Sequence, residues 1–214
     1  MKEATQDGAM SLLRVSRSLS CNVIGDLAEK QAFGPWSKAA IPAPGDELVG
    51  RPYREAIQTL TLARELDVPP AQKHALYALL ASDHFWSDAA SKRADVRISD
   101  ADLLLLYRAR AILQEKWRVL ALTPPEPCHC QAEGFVWDEG PRNALWWGQM
   151  ATYATTEVRD PLRSVEDVRT AVKDLNMWCN ACVDERALAW AAAREAWWTE
   201  LDQLLGVAVP EAVG

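Results

Sequence analysis

Ser99 stands three residues before Asp102 and directly ahead of Leu103-Leu104-Leu105-Leu106. A capping box at the head of an apolar run commits that stretch of chain to a helix. Its apolar stripe, Leu103, Leu106, Ala109, Leu113, Trp117 and Leu120, advances in steps of three and four. Thr123-Pro124-Pro125 stops it near residue 122, because proline cannot continue a helix. The same period recurs on both sides. Tyr53, Ala56, Ile57, Leu60 and Ala63 place a helix after Pro52, and Ala75, Leu76, Leu79 and Leu80 a second over residues 71–81. The two form a hairpin joined by Asp67-Val68-Pro69-Pro70. Ser164 and Asp167 repeat the capping-box pattern ahead of Val168, Ala171, Val172 and Leu175. A last helix over residues 181–205 carries Ala187, Trp190, Ala191, Arg194, Trp198, Leu201 and Leu205, with Gly206 placed to cap it.

No segment alternates polar and apolar residues for long, and the β-leaning pieces, residues 97–98 and 134–137, are too short for a sheet. The expected class is therefore all-α, an irregular helical bundle. Residues 1–51 read differently. One helix over residues 11–30, with Leu12, Val15, Leu19, Ile24 and Leu27 apolar, is followed by Gly34-Pro35, Pro42, Pro44-Gly45 and Gly50. The expected division is a loosely structured arm or short helix with its linker over residues 1–51 and a helical domain over residues 52–214.

The formal net charge is -7, and the 23 Lys and Arg are scattered, so no basic stripe exists to neutralise phosphates and nucleic acid is not the expected partner. No apolar run approaches the about 18 residues that a membrane span needs. The first residues, Met1-Lys2-Glu3-Ala4-Thr5-Gln6-Asp7, lack the order of a secretory signal. A cytoplasmic or nuclear location follows as the expectation, and there paired cysteines point to metal or redox chemistry before disulfides.

Those pairs are Cys128 with Cys130, in a loop past the Pro-terminated helix, and Cys179 with Cys182, at the start of the last helix. Zinc takes four tetrahedral Cys or His ligands, and a C-x-x-C at a helix start lets two thiolates converge where the helix end favours negative charge. One structural zinc bound by Cys128, Cys130, Cys179 and Cys182, with His129 as substitute ligand, would tie the loop to the last helix. Four protein ligands leave no position for water, so such a site stabilises the fold and catalyses nothing. The gap between the pairs is about three times the ~15–20 residues usual in zinc fingers. Two other readings stand beside it: four partly buried free thiols, and a redox C-x-x-C, which lacks its usual βαβ setting.

Ten residues are Trp, more than half of the aromatic total. A Trp buries a large area and must place its indole N–H, so the expectation is a thick core rather than an apolar contact face. Trp137, Trp146, Trp147 and Trp178, mostly in the poorly periodic residues 131–160, are candidate walls of a pocket between helices. That pocket is the alternative function, a small enzyme or ligand-binding protein. There is no G-x-G-x-x-G, Walker loop, G-x-S-x-G or H-E-x-x-H, and no catalytic residue is assigned. His74 and His84, with Asp83 or Asp88, read as core or solvated residues before an acid–base pair. Glu185, Glu195 and Glu200 read as a solvated face.

The order of segments also resembles a known family. Leu62-Ala63-Arg64-Glu65-Leu66-Asp67-Val68-Pro69, then Ile98-Ser99-Asp100-Ala101-Asp102-Leu103 with Tyr107-Arg108-Ala109-Arg110 and Trp117, look like blocks found after the core of fungal, mushroom-type BTB/POZ-domain proteins. Cys128, Cys130, Cys179, Cys182 and Ala193-Arg194-Glu195-Ala196-Trp197 resemble the cysteine-containing C-terminal region of those proteins. The resemblance covers residues 52–206 and leaves the BTB core missing, since residues 1–51 are too short to hold it. It implies a protein-interaction role with a protein partner and supplies no catalytic residue.

Overall fold

The computed structural model describes residues 6–36, 41–42, 52–126, 139–155, 160–172 and 180–207. Its elements there are nine α-helices and two short 3-10 turns, with no strand among the described residues. The helices are α1 Gln6–Ser18, α2 Asn22–Phe33, α3 Tyr53–Glu65, α4 Pro69–Ala81, α5 Asp83–Ser91, α6 Asp100–Leu122, α7 Glu139–Thr155, α8 Pro161–Val172 and α9 Asn180–Leu204. The chain divides into two compact units: Met1–Leu103 with Leu205–Gly214, and Leu104–Leu204.

In the first unit, the single helix expected over residues 11–30 is two helices. Ser20 takes a left-handed φ of 51°, the Cys21 N–H reaches back to Ser16 O at 2.9 Å, and the Ser20 N–H to Arg17 O at 3.2 Å. This 6→1 and 5→2 pair closes α1 and turns the chain. Ser16 and Ser18 add hydroxyl bonds to the carbonyls of Leu13 and Val15, the local competition that makes serine a poor helix-interior residue. The break also changes which residues are inside. Ala9, Met10, Leu13, Ala28, Ala32, Phe33 and Trp36 are buried, whereas the expected apolar positions Leu12, Val15, Leu19, Ile24 and Leu27 are exposed.

The α3–α4 hairpin uses the same turn. Asp67 has φ 53°, the Val68 N–H bonds Ala63 O at 2.8 Å, and the Asp67 N–H bonds Arg64 O at 3.4 Å. Pro69 and Pro70 then open α4 rather than separating two helices, as suits a residue with fixed φ and no N–H to satisfy. All five apolar positions expected on α3 are buried. In α4 every residue from Lys73 to Ala81 is buried, the mark of a helix enclosed on all sides. Helix α5, which carries no strong periodic signal, starts at Ser82, whose hydroxyl accepts the Phe85 N–H, and it inserts Phe85 and Trp86 into the core. Phe85 packs edge-on against both Tyr53, at 5.9 Å, and Trp86, at 5.1 Å.

One arm of the expected capping box forms, and the Asp102 carboxylate takes the Ser99 hydroxyl in place of the Ser99 N–H. Ser99 Oγ accepts the Asp102 N–H at 3.1 Å and donates to Asp102 Oδ2 at 2.6 Å. Asp102, buried at 6% exposure, also receives both ends of the Arg64 guanidinium, at 2.5 and 2.8 Å. That fork holds the Asp102 carboxyl below its ordinary range, the Ser99 bond adds to it, and burial opposes both. Arg93 fastens the preceding loop by donating to the carbonyls of Val96 and Ile98.

The second unit takes its core from Leu106, Ala109, Leu113 and Trp117 of α6, Trp146, Met150 and Ala154 of α7, Leu162, Val165 and Val168 of α8, and Trp190 and Leu201 of α9. The α6 stripe continues to Ala121 rather than to Leu120, which is only half-buried. Helix α8 begins four residues earlier than its Ser164–Asp167 pattern suggests. Asp160 caps it, accepting the Arg163 N–H at 3.0 Å, and Pro161 fills the first helical position, so Ser164 lies inside the helix. Helix α9 matches its expected span within one residue, and Gly206 follows it with φ 61°.

Candidate functional site

An α-helix leaves its last four carbonyls without helical partners. In α6 each of the four is satisfied. Val119 O accepts the Thr123 N–H and hydroxyl, at 3.1 and 2.7 Å. Leu120 O accepts Arg186 Nη2 at 2.6 Å, Ala121 O accepts Trp146 Nε1 at 2.9 Å, and Leu122 O accepts Trp147 Nε1 at 2.9 Å. The last three of these donors come from α7 and α9, so the end of α6 joins three helices. Trp146 is fully buried and lies 6.0 Å from Trp190, tilted by 48°. The Arg186 guanidinium sits 5.7 Å over the Trp190 ring.

Arg186 is a cation at a helix C-terminus, where the dipole favours positive charge. Burial nevertheless lowers its pKa from the ordinary arginine value. No carboxylate among the described residues pairs with it, and its Nε is buried without an acceptor. One turn earlier on α9, Cys182 is 2% exposed, and its thiol donates to Glu126 O at 3.6 Å. Glu126 is two residues before Cys128, a reach of at most about 7 Å along the chain. Cys179 immediately precedes α9, so the C-x-x-C straddles a helix N-terminus.

Cys128, His129, Cys130 and Cys179 lie outside the described residues, as do Trp137 and Trp178. Among the described residues no group of three or more His, Cys, Asp or Glu could hold a metal ion. Of the four cysteines only Cys182 lies among the described residues, a buried thiol in the first turn of α9 against Glu126 O.

Of the eight Trp whose burial is described, seven are buried and Trp147 is 49% exposed, so the thick-core reading of the Trp content holds there. Four indoles have a common task. Trp86 donates to Leu80 O and Trp117 to Tyr153 O, and with Trp146 and Trp147 every one of these acceptors lies in the last turn of a helix. An indole is a donor without an acceptor function, which suits it to an orphan carbonyl. His74 is buried within α4 and His84 is exposed on α5. Asp88 accepts the Tyr53 hydroxyl at 2.9 Å. Glu200 is not simply solvated, since it forms an ion pair with Lys116 of α6. Sequence reading also passed over Arg186, whose one signal is its position a turn after the C-x-x-C. Among the described residues no helix is long and apolar enough to cross a membrane.

Comparison with family models, with curated proteins and with solved structures found no match in any of the three.

Proposed function

We propose that the chain is a non-catalytic helical protein-interaction module whose second unit is stabilised by one structural zinc ion, bound by Cys128, Cys130, Cys179 and Cys182 with His129 as substitute ligand. The approach of Cys182 to Glu126, two residues before Cys128 in the chain, supports the metal half of this reading. Arg186 supports it. A half-buried cation with which no carboxylate among the described residues pairs is the charge that a cluster of thiolates would balance. The interaction half rests on the resemblance of residues 52–206 to the C-terminal region of BTB/POZ-domain proteins and on the apolar surface left exposed by α1 and α2.

Metal analysis of protein purified without chelator tests the reading. Wild type should carry one zinc per chain, and Cys179→Ser with Cys182→Ser should carry none. A strong chelator should lower the melting temperature of wild type by about 5 °C or more and leave the double variant unmoved, since a metal bound only by the native state stabilises it. A zinc-free wild type, or an unchanged melt, would sink the metal half.

A further inference from the structure

Cys182, Arg186 and Trp190 follow one another at four-residue steps on α9, the first and last buried and the arginine half-buried. Residues at that step are neighbours on a helix, with Cβ atoms about 5–6 Å apart, so the Arg186 side chain starts beside Cys182 on one side and Trp190 on the other. Both polar groups reach the same stretch of chain. Arg186 Nη2 donates to Leu120 O at 2.6 Å, and the Cys182 thiol donates to Glu126 O at 3.6 Å. Held there, and stacked 5.7 Å over the Trp190 ring, Arg186 still has a donor to place. Its Nε is buried and meets no acceptor, and Trp190 Nε1, on a side chain with no exposed surface, is in the same state. Buried N–H groups without acceptors are costly, so a pair of them marks a place where an acceptor belongs. Arg194, two turns further along α9, gives the contrast: its Nε is satisfied by Leu162 O at 3.1 Å.

The Cys182 sulfur is the acceptor that this face of α9 supplies. As a thiol it gives its proton to Glu126 O, whereas a metal-bound sulfur has no proton, carries negative charge and accepts hydrogen bonds from the groups around it. We infer that Arg186 is the positioning residue of the metal site: its Nε–H donates to the metal-bound sulfur of Cys182 while Nη2 keeps its hold on Leu120 O. The bond presupposes the zinc reading proposed above and adds one residue to it. Charge balance alone requires only a cation in the neighbourhood. An orphaned Nε requires an acceptor within reach, and a planar guanidinium can serve that acceptor and Leu120 O together in a way that a lysine ammonium cannot.

Competition between the full chain and a chromophoric chelator measures zinc affinity, and cobalt(II) in place of zinc reports on the sulfur ligands through their thiolate-to-cobalt charge-transfer band. Arg186→Gln should weaken zinc binding by roughly 10–100-fold, the range for removing an outer partner of a metal ligand, and should shift that band. Arg186→Lys keeps the charge and loses the fork, so it should bind zinc with intermediate affinity and leave the band shifted. Arg194→Gln should change neither. A side chain that only braced α6 against α9 would lower the melting temperature on removal and leave the zinc affinity of the folded protein, and the band, where they were. Should Arg186→Gln lose its helical signal, Arg186→Lys decides by its band. An unshifted band in either variant overturns the inference, and so does a folded Arg186→Gln that binds zinc as tightly as wild type; both results leave the metal site standing. A wild type that takes up neither zinc nor cobalt defeats the metal reading itself, and the Arg186 bond with it.

Discussion

The two ends of α6 are held by opposite chemistry. At its start, in the first unit, the Ser99 hydroxyl meets the orphan Asp102 N–H, and Arg64 grips the Asp102 carboxylate. At its end, in the second unit, two indoles and a guanidinium meet orphan carbonyls. The start is written in adjacent residues, Ser99 and Asp102. The end is completed by residues more than twenty positions away. Both obey the same requirement that helix-terminal groups find partners, and only the first is visible to a local pattern.

Trp146 offers the strongest way to break that comparison. It is fully buried against Trp190, so Trp146→Ala should cost about 3–5 kcal/mol, most of it lost packing. Trp146→Phe separates the terms: it keeps most of the ring and leaves Ala121 O unpaired, for about 1–3 kcal/mol. Chemical denaturation measures both. Were the Phe variant as stable as wild type, the indole bond would be incidental and the end of α6 would be held by packing alone.

The start of α6 should respond to pH where the end does not. Asp102 has a carboxyl pKa lowered chiefly by the Arg64 fork. A group whose folded pKa is depressed contributes stability that is fully present above its unfolded value, about 3.9, and is lost as pH falls through the folded one. Asp102→Asn should therefore cost about 1–2 kcal/mol near pH 7, a figure held down because the Arg64 side chain is 43% exposed and screened. The gap between variant and wild type should close below about pH 4. The Trp146→Phe gap should stay constant over the same range, and a pH-independent Asp102→Asn cost would mean that the fork contributes geometry without charge.

The contrast also explains what a single sequence discloses. Helices α3, α4, α6 and α9 were legible because each pairs a three- and four-residue apolar stripe with a stop or start signal. Helix α7 was not, since Trp146, Met150 and Ala154 recur every fourth residue on a narrow face among exposed neighbours. Helix α5 had only Ser82 to announce it. In α8 the Asp160-Pro161 start was outvoted by a capping-box pattern that falls inside the helix. The α1–α2 break hides in Ser20, because a left-handed serine leaves no mark that a glycine would. At the candidate site, the cysteine spacing raised the expectation of a metal, whereas the bond of Arg186 to Leu120 O depended on a crossing of helices that no spacing encodes.

Trp147 gives the smallest effect and the finest test. It makes the same bond as Trp146, one carbonyl further along, but is 49% exposed. Water can replace its N–H at Leu122 O, so Trp147→Phe should cost about 0.5 kcal/mol or less, within reach of a denaturant midpoint. If burial decides the worth of an indole at a helix end, the two Phe variants must differ by about 1 kcal/mol or more despite hydrogen bonds of equal length. Equal costs would place the value in the carbonyl that is satisfied, and would make every last-turn acceptor in this chain, Leu80 and Tyr153 included, equally dependent on its Trp.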